Sequence, residues 1–122
     1  MPSQRYFLMS QYLCYNDRNL CMDSVISVNN VAIRLTEERW LHIIDSHDDL
    51  AGRKEDVLKT IAEPDFIVRG IRKELLAVRK VNNSWIVSVY KEIIKSDGFI
   101  ITAFTTSRIA YLLKKETLWK KQ

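Results

Sequence analysis

Two histidines, His42 and His47, are the side chains of this chain best suited to move protons near neutral pH. Trp40, Ile43 and Ile44 recur at helical spacing, and His47 lies four and three residues beyond the last two. His47 therefore continues the apolar face of a predicted helix, where it is either a general acid or base or a buried structural histidine. His42 points to nearly the opposite side, so we interpret it as a surface residue.

Basic side chains at the ends of predicted strands are candidate contacts for an anion. Arg79 and Lys91 each end the apolar face of a strand, where a charge is costly to bury without a partner. Each therefore fits the rim of an anion site, unless its side chain reaches out to solvent. Arg108 follows Thr105, Thr106 and Ser107, a segment that can hold a phosphate or can equally be a turn that caps a helix.

Several families of catalytic motif are absent from the sequence. There is no glycine-rich phosphate loop, no nucleophile elbow and no set of residues with metal-ligand spacing. Nucleotide hydrolases, dinucleotide enzymes, metallohydrolases and serine hydrolases are therefore disfavoured, and we expect no cofactor. The kinds of catalysis that remain are proton transfer and charge stabilisation. RNA cleavage suits these groups, because the 2′-hydroxyl of the RNA attacks the neighbouring phosphate and no metal is needed.

The elements that must position these residues begin with a strand and two helices. Residues 24–34 are rich in β-branched side chains and predict a strand, with Asn29-Asn30 as a possible interruption. Thr36 can cap the following helix, and Asp48-Asp49 ends it. A second helix runs to about Ala62, because Glu63-Pro64 stops it.

The remainder predicts an antiparallel meander. Short connections such as Asn82-Asn83 and Asp97-Gly98 separate segments with strand character. The segment 107–115 is either a short helix or an irregular basic tail. The fold class is therefore α+β, with helices covering one face of the sheet. The four predicted strands of the meander are 65–69, 74–81, 84–94 and 99–106.

Composition and charge limit the class of protein. The 122 residues, 47% of them hydrophobic, fit one domain with its own core. The net charge of +4 is uneven, since residues 36–65 hold nine acids and four bases whereas residues 66–95 hold seven bases and two acids. A basic half favours polyanions, although an ordinary solvated lysine surface would have the same composition.

The N-terminal residues and the cysteines add little chemistry. Cys14 and Cys21 have neither zinc-ligand spacing nor a disulfide framework, so we expect a reducing, cytoplasmic location. No apolar run is long enough for a membrane helix, and we expect no membrane partner. Residues 1–24 are interpreted as a non-targeting extension, followed by a single domain over 25–122.

The segment 31–64, VAIRLTEERWLHIIDSHDDLAGRKEDVLKTIAEP, resembles the start of the phage-associated branch of the barnase–EndoU–colicin–RelE nuclease-like superfamily. That branch has a helix of the pattern T-x-E-R-W-x-H-I…H-P-E, a second helix and a Pro-Asp entry into the sheet. The resemblance continues through LLAVRK, IVSVYKE and GFIITAFT to Leu118-Trp119. This chain departs from the pattern after His47, where Asp48-Asp49 replaces Pro-Glu.

The resemblance implies two N-terminal helices packed on a four-stranded antiparallel sheet, with an extra N-terminal strand in this chain. It also implies metal-independent RNase activity. His47 would be the acid or base, while Arg79, Lys91 and Arg108 would stabilise the phosphate. Substrate-binding positions would be Thr105, Thr106, His42 and Lys80.

The sequence is compatible with three functions. The first is an endoribonuclease, for example a toxin of a toxin–antitoxin or phage-derived system, in which the four candidate catalytic residues converge in one basic pocket. The second is an RNA-binding module without catalysis. The third is an interaction domain whose basic tail, with Lys114, Lys115, Lys120 and Lys121, docks an acidic partner such as an antitoxin protein.

Overall fold

The computed structural model describes residues 22–122. Seven strands form one sheet in the spatial order β1-β2-β6-β5-β4-β3-β7. All neighbouring strands are antiparallel except β2 and β6, which are parallel. In chain order the elements are β1 (Met22–Ile26), β2 (Ala32–Thr36), α1 (Glu37–Ser46), a 3-10 turn (Asp48–Leu50), α2 (Lys54–Ala62), β3 (Phe66–Arg69), β4 (Leu75–Val81), β5 (Ser84–Ile94), β6 (Asp97–Thr106), α3 (Ala110–Leu113) and β7 (Thr117–Lys120).

The first two strands form a hairpin that reverses at Asn29-Asn30. Asn30 has a φ of 67°, a left-handed conformation that asparagine tolerates better than most residues. The hairpin joins the sheet where β2 pairs with Gly98 and Phe99 of β6. A Cβ atom on Gly98 would lie 2.4 Å from the Lys91 carbonyl oxygen and 2.6 Å from Ile33 Cδ1. Glycine at position 98 therefore permits the close approach of β2, β5 and β6.

The helices α1 and α2 are amphipathic, and both pack on the same face of the sheet. Thr36 caps α1, because its Oγ1 accepts the Arg39 N–H at 3.1 Å. Trp40 and Ile43 of α1 are buried, as are most apolar residues of α2. The backbone oxygen of Val57 in α2 accepts a hydrogen bond at 2.8 Å from the buried Ser88 hydroxyl of β5. We call the face of the sheet under α1 and α2 the helix face.

The other side of the sheet, here called the opposite face, carries a second apolar cluster. Its buried residues include Val78, Val87 and Val89, and Leu112 of α3 packs against them. The chain then enters β7, which pairs with β3 at the edge of the sheet. The C-terminal segment therefore covers part of the opposite face and extends the sheet beyond the meander.

The predicted fold class is wrong. A four-stranded antiparallel sheet with one extra strand and two helices is replaced by a seven-stranded mixed sheet with three α-helices. One cause is that 24–34 folds as two strands around Asn29-Asn30, and the second pairs in parallel with β6. The other is that the basic tail supplies both α3 and β7. Four strands do occupy the predicted meander, with β3 to β6 in antiparallel order.

Two further predictions can be compared with the structure only for residues 22–122. Cys14, Cys21 and most of the predicted extension 1–24 lie outside residues 22–122. Among the helices of the described residues, none combines the length and the apolar character needed to span a membrane.

Candidate functional site

One row of side chains crosses the helix face where β4 and β6 end and β5 begins. Arg79 of β4 pairs with Ile86 of β5, and Ile86 pairs with Thr105 of β6. Because neighbouring strands lie about 4.8 Å apart, the Arg79 and Thr105 backbones are about 10 Å apart. Arg79 is half-buried and has no ion pair among the described residues. The row therefore holds a cation and a hydroxyl on the same face.

The 3-10 turn after α1 is attached to this row by a hydrogen bond. The Thr105 hydroxyl donates to Oδ2 of Asp49, which lies in the turn. In the described chain β2 pairs with β6 only at Gly98 and Phe99, so the later part of β6 has a free outer edge. α1 and the turn approach β6 along this part of the molecule. The hydrogen bond thus brings a carboxylate to the end of β6, which β5 separates from Arg79 on β4.

His47 lies at the start of the same turn, as the residue that ends α1. Its backbone N–H donates to the Ile43 carbonyl at 2.8 Å, and its own carbonyl accepts the Leu50 N–H at 3.0 Å. The imidazole is half-buried, and its centroid is 6.1 Å from that of the Phe104 ring. In residues 22–122 no side-chain hydrogen bond holds the imidazole. The backbone is therefore fixed by the end of the helix, while the ring nitrogens are available for a ligand.

Arg108 follows β6 in a turn that is closed by its neighbour Thr106. The Thr106 hydroxyl donates to the Arg108 carbonyl at 2.9 Å and accepts the Arg108 N–H at 3.1 Å. This arrangement corresponds to the turn that the sequence left open as an alternative, and Ser107 does not cap α3. The Thr106 hydroxyl is thus engaged in the backbone, whereas the Arg108 side chain is exposed.

Lys80 lies at the same end of the sheet but on the opposite face. Its Nζ is 5.8 Å from the centroid of the Trp85 ring, and Trp85 is directly opposite it on β5. The Lys80 backbone N–H donates to Asp65 Oδ2 at 2.7 Å. Because Thr106 is the other cross-strand partner of Trp85, Lys80, Trp85 and Thr106 form a row on the opposite face.

The structure does not bring Lys91 into this group. Lys91 is five residues beyond Ile86 along β5, a distance of about 17 Å. It pairs with Phe99 and lies on the opposite face, whereas Arg79 lies on the helix face. The expectation that four basic and acid–base residues converge in one pocket is therefore wrong for Lys91.

His42 is also apart from the row. It is exposed on α1, where it borders a shallow groove lined by Glu38, Leu41, Ile44 and Asp45. At 100° per residue, positions 42 and 47 point about 140° apart around the helix. His42 therefore faces solvent while His47 faces β6.

Some cations of the described chain are held in ion pairs, and three near the row are not. Arg34 pairs with Asp97 at 2.8 Å, Lys54 pairs with Asp23 at 3.1 Å, and Arg69 pairs with Glu116 at 3.1 Å. Across the described residues Arg79, Lys80 and Arg108 have no such acidic partner. The end of the sheet thus holds three unpaired cations together with the Asp49 carboxylate, and this balance favours an anionic ligand.

Sequence reasoning missed Asp49 as a functional candidate. The sequence predicted that Asp48-Asp49 ends a helix. It also indicated that the glutamate of the H-P-E pattern is replaced in this chain. In the pattern H-P-E the carboxylate is two residues after the histidine, which is the spacing of His47 and Asp49 in this chain. That spacing could have identified Asp49 as a candidate site residue. Within residues 22–122 no three His, Cys, Asp or Glu side chains form a group that could hold a metal ion.

No protein-family model, curated protein or solved structure matches this chain. The resemblance to the nuclease-like superfamily stays a prediction from sequence.

Proposed function

We propose that the chain is a metal-independent endoribonuclease whose site is the end of the sheet around His47, Asp49 and Arg79. The observation that supports this most is the hydrogen bond from Thr105 to Asp49. It places a carboxylate on β6, in the same short turn that begins with His47 and beside the row that holds the unpaired Arg79. An acid, a base and a cation at the same end of the sheet supply the groups that cleavage of RNA by its own 2′-hydroxyl requires.

The proposed reaction needs no outside nucleophile. The Asp49 carboxylate takes the proton of the 2′-hydroxyl, and the 2′-oxygen forms a bond to the adjacent phosphorus. The bond from phosphorus to the 5′-oxygen breaks, and protonated His47 gives its proton to that oxygen. The products are a 2′,3′-cyclic phosphate and a free 5′-hydroxyl. Arg79 stabilises the extra negative charge on the phosphate oxygens as the new bond forms.

The test is an RNase assay in excess EDTA with His47→Ala. We expect the rate to fall by about 10²- to 10⁴-fold, the usual contribution of a general acid or base. Lys95→Gln is the matched control, since Lys95 is an exposed cation in the turn between β5 and β6. Equal cleavage by wild type and His47→Ala would refute the catalytic role.

An RNA-binding module without catalysis is the second candidate. It is favoured by the row Lys80–Trp85–Thr106, which needs no acid or base to hold an RNA strand. RNA binding that is accompanied by no cleavage, and that is unchanged in His47→Ala, would support this second function.

A role as a toxin with an antitoxin partner, in the cytoplasm, is a finer proposal that rests on the nuclease activity. If it is correct, expression of the wild-type chain arrests bacterial growth and His47→Ala relieves the arrest. Growth arrest that persists in His47→Ala would contradict this proposal.

A further inference from the structure

A tryptophan lies at the end of the opposite face, close to the proposed catalytic row but outside it. Trp85 is half-buried, whereas Trp40 in the core is only 6% exposed. The Phe66 ring lies against Trp85 at 6.1 Å between centroids, with the ring planes 59° apart. Trp85 is thus held by the apolar cluster while part of its indole remains accessible.

One basic group lies over this indole, and a second follows the neighbouring strand. The Lys80 ammonium is 5.8 Å from the ring centroid, close enough for a cation–π interaction. On the other neighbouring strand Thr106 is opposite Trp85, and its turn fixes the backbone of Arg108. Neither Lys80 nor Arg108 has an acidic partner in the described part of the chain. The indole thus has one unpaired cation over its ring and a second two residues beyond its cross-strand partner Thr106.

Aromatic surfaces combined with cations bind single-stranded nucleic acid in a specific way. A base stacks on the aromatic ring, and the cations contact the phosphates on either side. Bases inside a duplex are already stacked on each other and cannot reach such a ring. An acidic peptide would use the cations but would gain nothing from stacking on the indole.

We propose that Lys80, Trp85 and Arg108 form a binding surface for single-stranded RNA, with one base stacked on Trp85. This inference rests on the proposed function and specifies its substrate class, because the surface adjoins the catalytic row. Thr105 and Thr106 are the last two residues of β6 and point to the helix face and the opposite face, so the two surfaces are separated only by the end of this strand. A strand bound at Trp85 passes the end of β6 toward His47 and Arg79.

The binding test uses a fluorescently labelled 2′-O-methyl RNA of about 10 nucleotides, which spans a typical single-strand site and lacks the attacking hydroxyl. Fluorescence anisotropy then reports affinity alone. Stacking on an aromatic side chain is worth about 1–3 kcal/mol per base, so Trp85→Leu should weaken binding about 5- to 150-fold. Trp85→Phe keeps a ring and should bind within about fivefold of wild type, since it retains part of the stacking.

Two controls make this result interpretable. Leucine preserves apolar packing against Phe66, and the melting curves of both variants establish that each is folded. The same oligonucleotide annealed to its complement should bind more weakly, and Trp85→Leu should not change its affinity. Unchanged single-strand binding by folded Trp85→Leu, or an equal loss for the duplex, would overturn the proposal.

Failure of this proposal is distinguishable from failure of the nuclease assignment. Weaker binding by Trp85→Leu, in a protein whose RNA cleavage does not depend on His47, supports the surface and refutes the catalytic role. Loss of cleavage in His47→Ala, with normal single-strand binding by Trp85→Leu, refutes the surface and supports the nuclease.

Discussion

Asp49 illustrates how a single hydrogen bond gives a residue its candidate role. A carboxylate in an exposed 3-10 turn would ordinarily be a solvated surface group. Its bond with the Thr105 hydroxyl instead fixes it against β6, two residues from His47. This hydrogen bond is exposed to solvent, so it adds only modestly to the position that the buried Leu50 gives the turn.

The buried side chain of Tyr90 leads to a prediction about stability. Its side chain is fully buried, and its hydroxyl has no hydrogen-bond partner among the described residues. Because a buried hydroxyl without a partner costs about 1–3 kcal/mol, Tyr90→Phe should raise the free energy of unfolding by about 1 kcal/mol. Urea unfolding at pH 7 measures this. A decrease in the free energy of unfolding would mean that the hydroxyl has a partner.

The same residue predicts a pH dependence. Burial raises the pKa of the Tyr90 phenol well above its ordinary value of 10.0, and the nearby Glu92 raises this pKa further. Above about pH 10 the unfolded chain therefore loses a proton that the folded chain retains, so stability falls as pH rises. Tyr90→Phe lacks this proton, and its advantage over wild type should grow from pH 9 to pH 11. An advantage that stays constant would contradict the assigned pKa shift.

At the scale of elements, the register between β4 and β5 decides which basic residues lie on the same face of the sheet. Within each strand the alternation of side chains is readable from sequence, but a comparison between strands requires their register. The two-residue turn at Asn82-Asn83 pairs Val81 with Ser84, and Arg79 with Ile86. It therefore puts Arg79 on the face opposite to that of Lys91. This turn was visible in the sequence, and its consequence for the register could have been derived.

Gly98 connects the N-terminal hairpin to the rest of the sheet, and it yields a prediction about β2. Alanine at this position would bring a Cβ within 2.4 Å of a backbone oxygen of β5 and 2.6 Å of the buried Ile33. Gly98→Ala should lower the free energy of unfolding by about 1–3 kcal/mol, the usual cost of overpacking. Amide hydrogen exchange should show that protection is lost first in β1 and β2.

Gly52→Asn is the matched control for that substitution. Gly52 has a φ of 78°, which asparagine tolerates, and nothing lies within 4 Å of a Cβ placed there. The left-handed backbone should still lower the free energy of unfolding by about 1 kcal/mol, but hydrogen exchange in β1 and β2 should keep its wild-type order. Early loss of protection in β1 and β2 in both variants would show that the contact with β2 is not the cause.

At the scale of the whole molecule, local signals predicted the elements and long-range pairing determined the fold. Pro64 and the Asn82-Asn83 turn mark element boundaries in the sequence, so the end of α2 and the hairpin of β4 and β5 were predictable. The predicted turn at Asp97-Gly98 is wrong in position, because the chain reverses at Lys95-Ser96 and Asp97 and Gly98 already pair as the start of β6. The parallel pairing of β2 with β6 and the return of β7 to β3 join residues far apart in sequence. Such contacts leave no periodic pattern in a single sequence, which explains why the predicted four-stranded sheet was wrong.

Charge separation across the molecule gives a last prediction. Residues 36–65, which form the helical half, hold nine acids and four bases, whereas residues 66–95 of the sheet hold seven bases and two acids. This separation should orient an RNA strand along the basic end of the sheet, so that the turn of His47 and Asp49 is the part of the helical half that approaches it. Three unpaired cations, Arg79, Lys80 and Arg108, are available there to replace counterions on the phosphates.

Each phosphate neutralised on a single strand contributes about −0.7 to the slope of log affinity against log salt concentration. Contacts from these three residues therefore predict a slope of about −2 for the 2′-O-methyl oligonucleotide, measured by anisotropy between 50 and 300 mM salt. The double variant Lys80→Gln, Arg108→Gln should have a slope of about −0.7, while Lys95→Gln should match wild type. A slope near zero, or a double variant as salt-dependent as wild type, would show that RNA binds elsewhere, because the phosphate contacts would then not involve this end of the sheet.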